Sequence, residues 1–226
     1  MSLFDIDKIN SVFQKPKGYK TTHIFGTSYS LSGEVLNDLI KQTSIHKTID
    51  YLNDEHIFIA CQNNRYIGGL DNDYHYPLAR LLLVNNCIYA VEQNHSFHPK
   101  VWIIRYEENS ARKRILYRIA VLSRNISKQN MLEGGIVLEG HKTEASCEKE
   151  SKEGLIAFLS KFDDENRVVS LLKNELPYVS FLDTAKMIGG DLAEYAFLPT
   201  EGNKFISDFA KSIRQARKIF AVSPFL

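Results

Sequence analysis

The sequence predicts an α/β domain. Three observations carry this: a β-type apolar run followed by a helix-spaced segment near the N-terminus, short apolar runs bounded by turn residues through the middle, and amphipathic helical spacing after residue 144. With 226 residues, 44% of them hydrophobic, the chain has enough apolar material for one large core, or for one and a half small ones.

The run TTHIFGTSY at 21–29 lacks any turn signal and reads as a buried strand. Ser32 and Glu34 then open VLNDLI, whose apolar spacing suits a helix. A second β-type run at 56–61 precedes QNNRYIGG, which has turn chemistry at both ends. Residues 81–84 and 88–91 flank Asn85-Asn86 and read as two strands about a tight turn. VWIIRY at 101–106 and ILYRIAVL at 115–122, joined by the charged EENSARKR, read as a hairpin with a solvated tip. Between 144 and 165 the acids outnumber the bases seven to three, and Leu155, Ile156, Leu159 and Phe162 fall at helical spacing, so a covering helix is expected. A further helix runs through RVVSLLKNEL until Pro177, and another through Phe205, Phe209, Ile213 and Ala216 before the β-like IFAVSPFL. No repeat, low-complexity tract or proline-rich linker divides the chain. Residues 1–200 are read as one lobe, and 201–226 as a helix and first strand leading into a second lobe outside this chain.

The 28 Lys and Arg against 27 Asp and Glu give a net charge of +1, which excludes a protein that coats nucleic acid with uniform charge and equally an acidic tail protein. The balance is segregated, however. From 100 to 128 eight bases (Lys100, Arg105, Arg112, Lys113, Arg114, Arg118, Arg124, Lys128) face only Glu107 and Glu108, so a positive face that would attract a phosphate backbone is expected there. Arg112 to Arg114 read equally well as a solubilising loop. Cys61, Cys87 and Cys147 are odd in number and form no C-x-x-C pair, which supports neither a disulfide framework nor a zinc site and suggests a reducing compartment. No signal-peptide pattern opens the sequence and no uninterrupted membrane-length apolar stretch occurs, so a cytoplasmic protein without membrane partners is expected.

The chemistry-bearing stretch is Phe97-His98-Pro99-Lys100, followed after the next strand by Ser123-Arg124-Asn125. Side chains two apart on a strand share a side, so His98 and Lys100 project together, and the hairpin returns Asn125 beside them. An imidazole can attack phosphorus to give a phosphohistidine, while an ammonium and a carboxamide donate to the non-bridging oxygens; that chemistry requires no metal or other cofactor. Taken singly, His98 reads more readily as a structural histidine and Lys100 as a solvated strand-end lysine. His95 and His98 have H-x-x-H spacing without a third ligand placed nearby, and Asp71-Asn72-Asp73 starts like a calcium loop but has Tyr76 and Leu82 where glycine and glutamate are needed. Phe97 and Trp102 are candidates for base stacking, although an aromatic on a strand is more often core.

FHPKVWII followed by LSRNIS resembles the N-terminal half-site of the phospholipase D superfamily, H-x-K, four residues, Asp, then G-S-x-N. Arg105 stands at the Asp position and Leu122 at the Gly position. Loss of that Asp is normal in the tyrosyl-DNA phosphodiesterase-like branch, and FHPKVWIIRYEEN with YRIAVLSRNIS is similar to its layout, as is TTHIFGTSYSLSGEVLNDLI to its opening unit. The resemblance implies a phospholipase D-like lobe with a mixed central sheet flanked by helices on both faces. It implies a metal-independent nuclease or DNA end-processing hydrolase in which His98 is nucleophile or acid/base, Lys100 and Asn125 are phosphate ligands, Ser123 is a minor donor and Glu133 fixes the imidazole tautomer. Arg124, Arg105, Phe97 and Tyr29 are the expected substrate contacts. The family uses two such half-sites, and this chain supplies one, so the resemblance further implies a second lobe in cis or a homodimer mate. The competing reading is a non-catalytic nucleic-acid-binding or scaffolding lobe of a larger DNA-processing protein. Lipid hydrolysis has no support, since no amphipathic membrane helix stands near the motif.

Overall fold

A computed structural model describes residues 11–63, 65–67, 76–92, 96–123, 125, 135–181, 186–187, 190–191 and 195–197. The expected helix at 205–216 and the strand at 219–226 lie outside the described residues. The strands are β1 (Tyr19–Ser28), β2 (Leu31–Ser32), β3 (Ile57–Gln62), β4 (Tyr66–Ile67), β5 (Ile88–Val91), β6 (Val101–Glu108), β7 (Ile115–Leu122), β8 (Gly135–Lys142), β9 (Val179–Ser180), β10 (Lys186–Met187) and β11 (Gly190–Asp191). The α-helices are α1 (Gly33–Thr43), α2 (Pro77–Val84), α3 (Lys149–Leu159) and α4 (Arg167–Glu175).

Among the described residues seven strands form one mixed sheet in the order β5-β3-β1-β6-β7-β8-β9. β1, β3 and β5 run parallel to one another, whereas β6 to β9 continue antiparallel. Alternate residues serve opposite faces. Ile24, Trp102 and Ile104 join the core beneath α1 and α2 with Leu36, Ile40, Ala79 and Leu82. Phe25, Ile103 and Tyr117 join a second core beneath α3 and α4 with Leu155, Leu159, Val168 and Leu172. Helices therefore cover both faces of a mixed sheet, as the resemblance implies.

The expected strand over 81–84 is instead the end of α2. Pro77 occupies its first turn, where the missing N–H costs nothing, and the buried residues are Ala79 and Leu82 while Leu81 and Val84 are exposed. Asn37 of α1 accepts from Leu78 N at 3.1 Å and caps α2 from its neighbour. Asn86 takes a positive φ of 56° and turns the chain into β5, the one strand of this region.

The hairpin of β6 and β7 matches the sequence reading closely. Its register runs from Val101↔Val121 to Glu107↔Ile115, so Lys100 lies at one end and the Arg112 to Arg114 tip at the other. With about 3.3 Å per residue the two ends stand roughly 20 Å apart. The basic tip is thus not the positive face of the His98 region. Arg114 donates to Glu108 at 3.2 Å, and Arg118 to Glu139 at 2.7 Å.

Candidate active site

The site lies where β1 and β3 end and β6 begins, at the carboxyl ends of the parallel strands, the edge where open α/β sheets place ligands. Two side chains fix the segment entering β6. Thr27 Oγ1 accepts from Val101 N at 2.9 Å, and Gln62 Oε1 accepts from Phe97 N at 2.6 Å. Leu122 N donates to the Lys100 carbonyl at 2.9 Å, which brings the end of β7, with Ser123 and Asn125 just beyond it, to the same edge. Trp102, two residues on, is wholly buried against Gly26, where an added Cβ would stand 2.3 Å from the indole ring. Glycine is required at 26 for that close approach.

Lys100 is buried, yet among the described residues no carboxylate lies within ion-pair distance of it. Its ammonium donates to His98 Nδ1 at 2.7 Å and to the His98 carbonyl at 3.0 Å. An uncompensated buried cation is costly in a low-dielectric setting, and burial holds the Lys100 ammonium down to about 8. Burial, followed by the neighbouring Lys100 charge, also lowers His98 from its ordinary value. At neutral pH the pair is therefore a neutral imidazole beside an ammonium. The Tyr29 ring is tilted against His98 with centroids 5.0 Å apart, and the Arg65 guanidinium lies over the other partner of that contact, 5.3 Å from the Tyr29 centroid. Asn125 Oδ1 is buried without a hydrogen-bond partner among the described residues; turning the amide over would present its N–H groups instead.

Of the residues singled out from sequence, His98 contacts both Lys100 and Tyr29, and Ser123 and Asn125 reach the same edge through the hairpin. Glu133 and Arg124 lie outside the described residues. Two expected substrate contacts are used elsewhere. Arg105 pairs across the sheet with His23 and Tyr117, and its guanidinium donates to Glu175 at 2.9 Å and to Thr22 at 2.9 Å, inside the fold. Phe97 is buried in the core beneath α3 and α4 with Phe162 at 6.2 Å, so its apolar surface is already covered. Arg65 and Gln62 were not foreseen, because nothing in QNNR marks a loop that folds back onto a strand forty residues away. Among the described residues no group of three or more His, Cys, Asp and Glu is arranged to hold a metal ion, and no helix is long and apolar enough to cross a membrane.

No family model matches the sequence, and no curated protein matches it significantly. Solved structures do. The yeast tyrosyl-DNA phosphodiesterase is 15% identical with a TM-score of 0.48, over 74% of this chain and 37% of that one. A point mutant of yeast tyrosyl-DNA phosphodiesterase 1 is 13% identical with a TM-score of 0.51, over 79% of this chain and 40% of that one. The chain thus spans well under half the length of the structures it matches. At these identities the likeness is one of fold: the mixed sheet covered by helices on both faces is similar to part of the α/β fold of tyrosyl-DNA phosphodiesterase.

Proposed function

We propose that this chain carries one half-site of a phosphodiester hydrolase that acts on nucleic acid, DNA before RNA, through a phosphohistidine and without a metal. The observation that carries the reading is the buried Lys100 ammonium, lacking a carboxylate among the described residues and held 2.7 Å from an imidazole nitrogen. A phosphodiester is the ligand this pair suits. Its oxygens would take over the Lys100 N–H now given to Nδ1, and the released ring lone pair would then face phosphorus. As the N–P bond forms the P–O bond to the leaving group breaks, and charge gathers on oxygens beside Lys100 and the Asn125 carboxamide. Ser123 adds a donor at that edge, Glu133 orients the imidazole, and Arg124 contacts the strand. The leaving oxygen needs a proton from a second group. We assign that group to a second half-site, in a further lobe or a second copy of this chain.

Single-turnover cleavage of an oligonucleotide bearing a 3′-aryl phosphodiester tests this. His98→Ala abolishes turnover under the proposal, and chelators leave the wild type unaffected. Unchanged cleavage in His98→Ala would overturn the mechanism, and loss of activity in EDTA restored by magnesium would replace it with a metal nuclease.

A further inference from the structure

We infer that Arg65 is a second phosphate-binding residue of this site, taking the phosphate adjacent to the one that His98 and Lys100 hold, so that the substrate is a nucleic-acid strand rather than an isolated diester. The inference rests on the function proposed above. Its own grounds are geometric. Arg65 stands in the loop between β3 and β4, where its carbonyl accepts from Leu31 N at 3.2 Å and its N–H donates to the Gln62 carbonyl at 3.1 Å. Those two bonds fix the Arg65 backbone against Leu31 and Gln62. The side chain is exposed, and among the described residues no carboxylate pairs with it. It rests over Tyr29, 5.3 Å from the ring centroid, and the same ring lies 5.0 Å from the His98 imidazole, so guanidinium and imidazole share one aromatic neighbour.

The shared ring has a functional consequence. Stacking holds the flat guanidinium in place while leaving its N–H fork free, the arrangement that favours bidentate capture of a phosphate. The cations that sequence reading assigns to the substrate do not compete for this task. Arg105 is held by Glu175, and the Arg112 to Arg114 tip is at the far end of the hairpin. Arg65 is the described cation that lies beside the site and is not already committed. Phosphates recur along a strand at regular intervals, so a cation that contacts the same ring as His98, and not the His98–Lys100 pair itself, is suited to the neighbouring phosphate rather than the scissile one.

Binding separates this from the reading on which it rests. The intact chain and its Arg65→Ala and Arg65→Lys variants are titrated with a short single-stranded oligonucleotide over a salt series by fluorescence anisotropy. They are also titrated with a nucleoside methyl phosphodiester, which has one phosphate, by calorimetry. Arg65→Ala is expected to weaken the oligonucleotide about ten-fold or more and to reduce the salt slope by about 0.7, the value of one lost single-strand contact, while leaving the one-phosphate ligand unchanged. Arg65→Lys recovers the slope but only part of the affinity. Equal weakening of both ligands by Arg65→Ala, or an unchanged oligonucleotide slope, overturns the role of Arg65 and leaves the function standing. A wild type that binds neither ligand removes the function and this inference together.

Discussion

Lys100 Nζ stands 2.7 Å from His98 Nδ1, a lysine hydrogen-bonded to a histidine two residues before it on an extended strand end. Both groups are cations when protonated, so each disfavours the charge of the other, and the pair is poised to hold one positive charge rather than two. Replacing Lys100 by Met removes the neighbouring charge and raises the His98 pKa toward its ordinary value of 6.5. Titration of the imidazole Hε1 proton by NMR measures this directly. A His98 pKa unmoved by Lys100→Met would mean that burial alone sets it.

The same pair fixes the pH range of anion binding. Lys100 carries its proton below about 8 and loses it above, well before an ordinary lysine does. Affinity for sulfate, whose own charge is constant across this range, should fall as pH rises through about 8, approaching about tenfold per pH unit beyond it. Bound anion favours the ammonium and moves the limb upward, so the break appears at a higher pH in the complex than in the free protein. In Lys100→Arg the break vanishes, because the guanidinium keeps its charge. Calorimetric titrations at pH 7, 8, 9 and 10 decide this.

At the other end of the hairpin, Arg112→Ser with Lys113→Ser should leave the affinity for a one-phosphate ligand within about twofold of wild type, since the charges stand roughly 20 Å away and screening at physiological salt acts over about 8 Å. Isothermal titration checks it, and a loss comparable to that of Lys100→Ala would contradict the hairpin register. The case shows where sequence reading stops. The two strands that flank the motif loop and the return of the chain to the edge that holds His98 and Lys100 were legible, because side-chain alternation and hairpin geometry are local rules. The charge count over 100–128 was correct as a count and misleading as a map, because a hairpin separates its tip from its ends by a strand length. The segment 81–84 was misread because a short apolar run fits a strand or a helix equally, and the deciding capping contact, Asn37 to Leu78 N, comes from another helix. β8 was not anticipated, since Gly135 and Gly140 weaken the period-two pattern of GIVLEGHK; Gly140 is there because a Cβ would stand 2.3 Å from the Ser180 carbonyl of β9.

Arg105, expected from sequence as a substrate contact, serves stability instead. Burial pushes the Glu175 carboxyl up, and hydrogen bonds from Arg105, Lys142 and Tyr117 more than reverse this, holding it at about 2. A carboxyl depressed in the folded state contributes stability that is present above 4.5 and lost as pH falls from there through about 2. Glu175→Gln should therefore cost roughly 3 kcal/mol at pH 7, much of it from leaving the Arg105 charge buried and unpaired. Urea unfolding at pH 7, 4 and 3 should show the wild type losing stability over the last two steps and the variant nearly flat there. Sulfate affinity at pH 7 stays unchanged in the variant, which separates this network from the Lys100 site.

Gly26 and Trp102 link the core to the site. An added Cβ at 26 would meet three atoms of the indole ring at 2.3 to 2.6 Å, and Trp102 is wholly enclosed, so the ring has nowhere to move without shifting β6. Gly26→Ala should destabilise by about 1–3 kcal/mol through overpacking, and, because Lys100 precedes Trp102 by two residues on the same chain segment, it should also weaken sulfate binding. Trp102→Leu alone leaves a cavity and costs a comparable amount. Combined, the new methyl occupies space that the smaller side chain vacates, so the double variant should be more stable than the sum of the single changes predicts. A double-mutant cycle by chemical unfolding measures the coupling. Strict additivity would show that β1 and β6 do not meet through this pair, and the position of Lys100 would then have to be set by Thr27 and Gln62 alone.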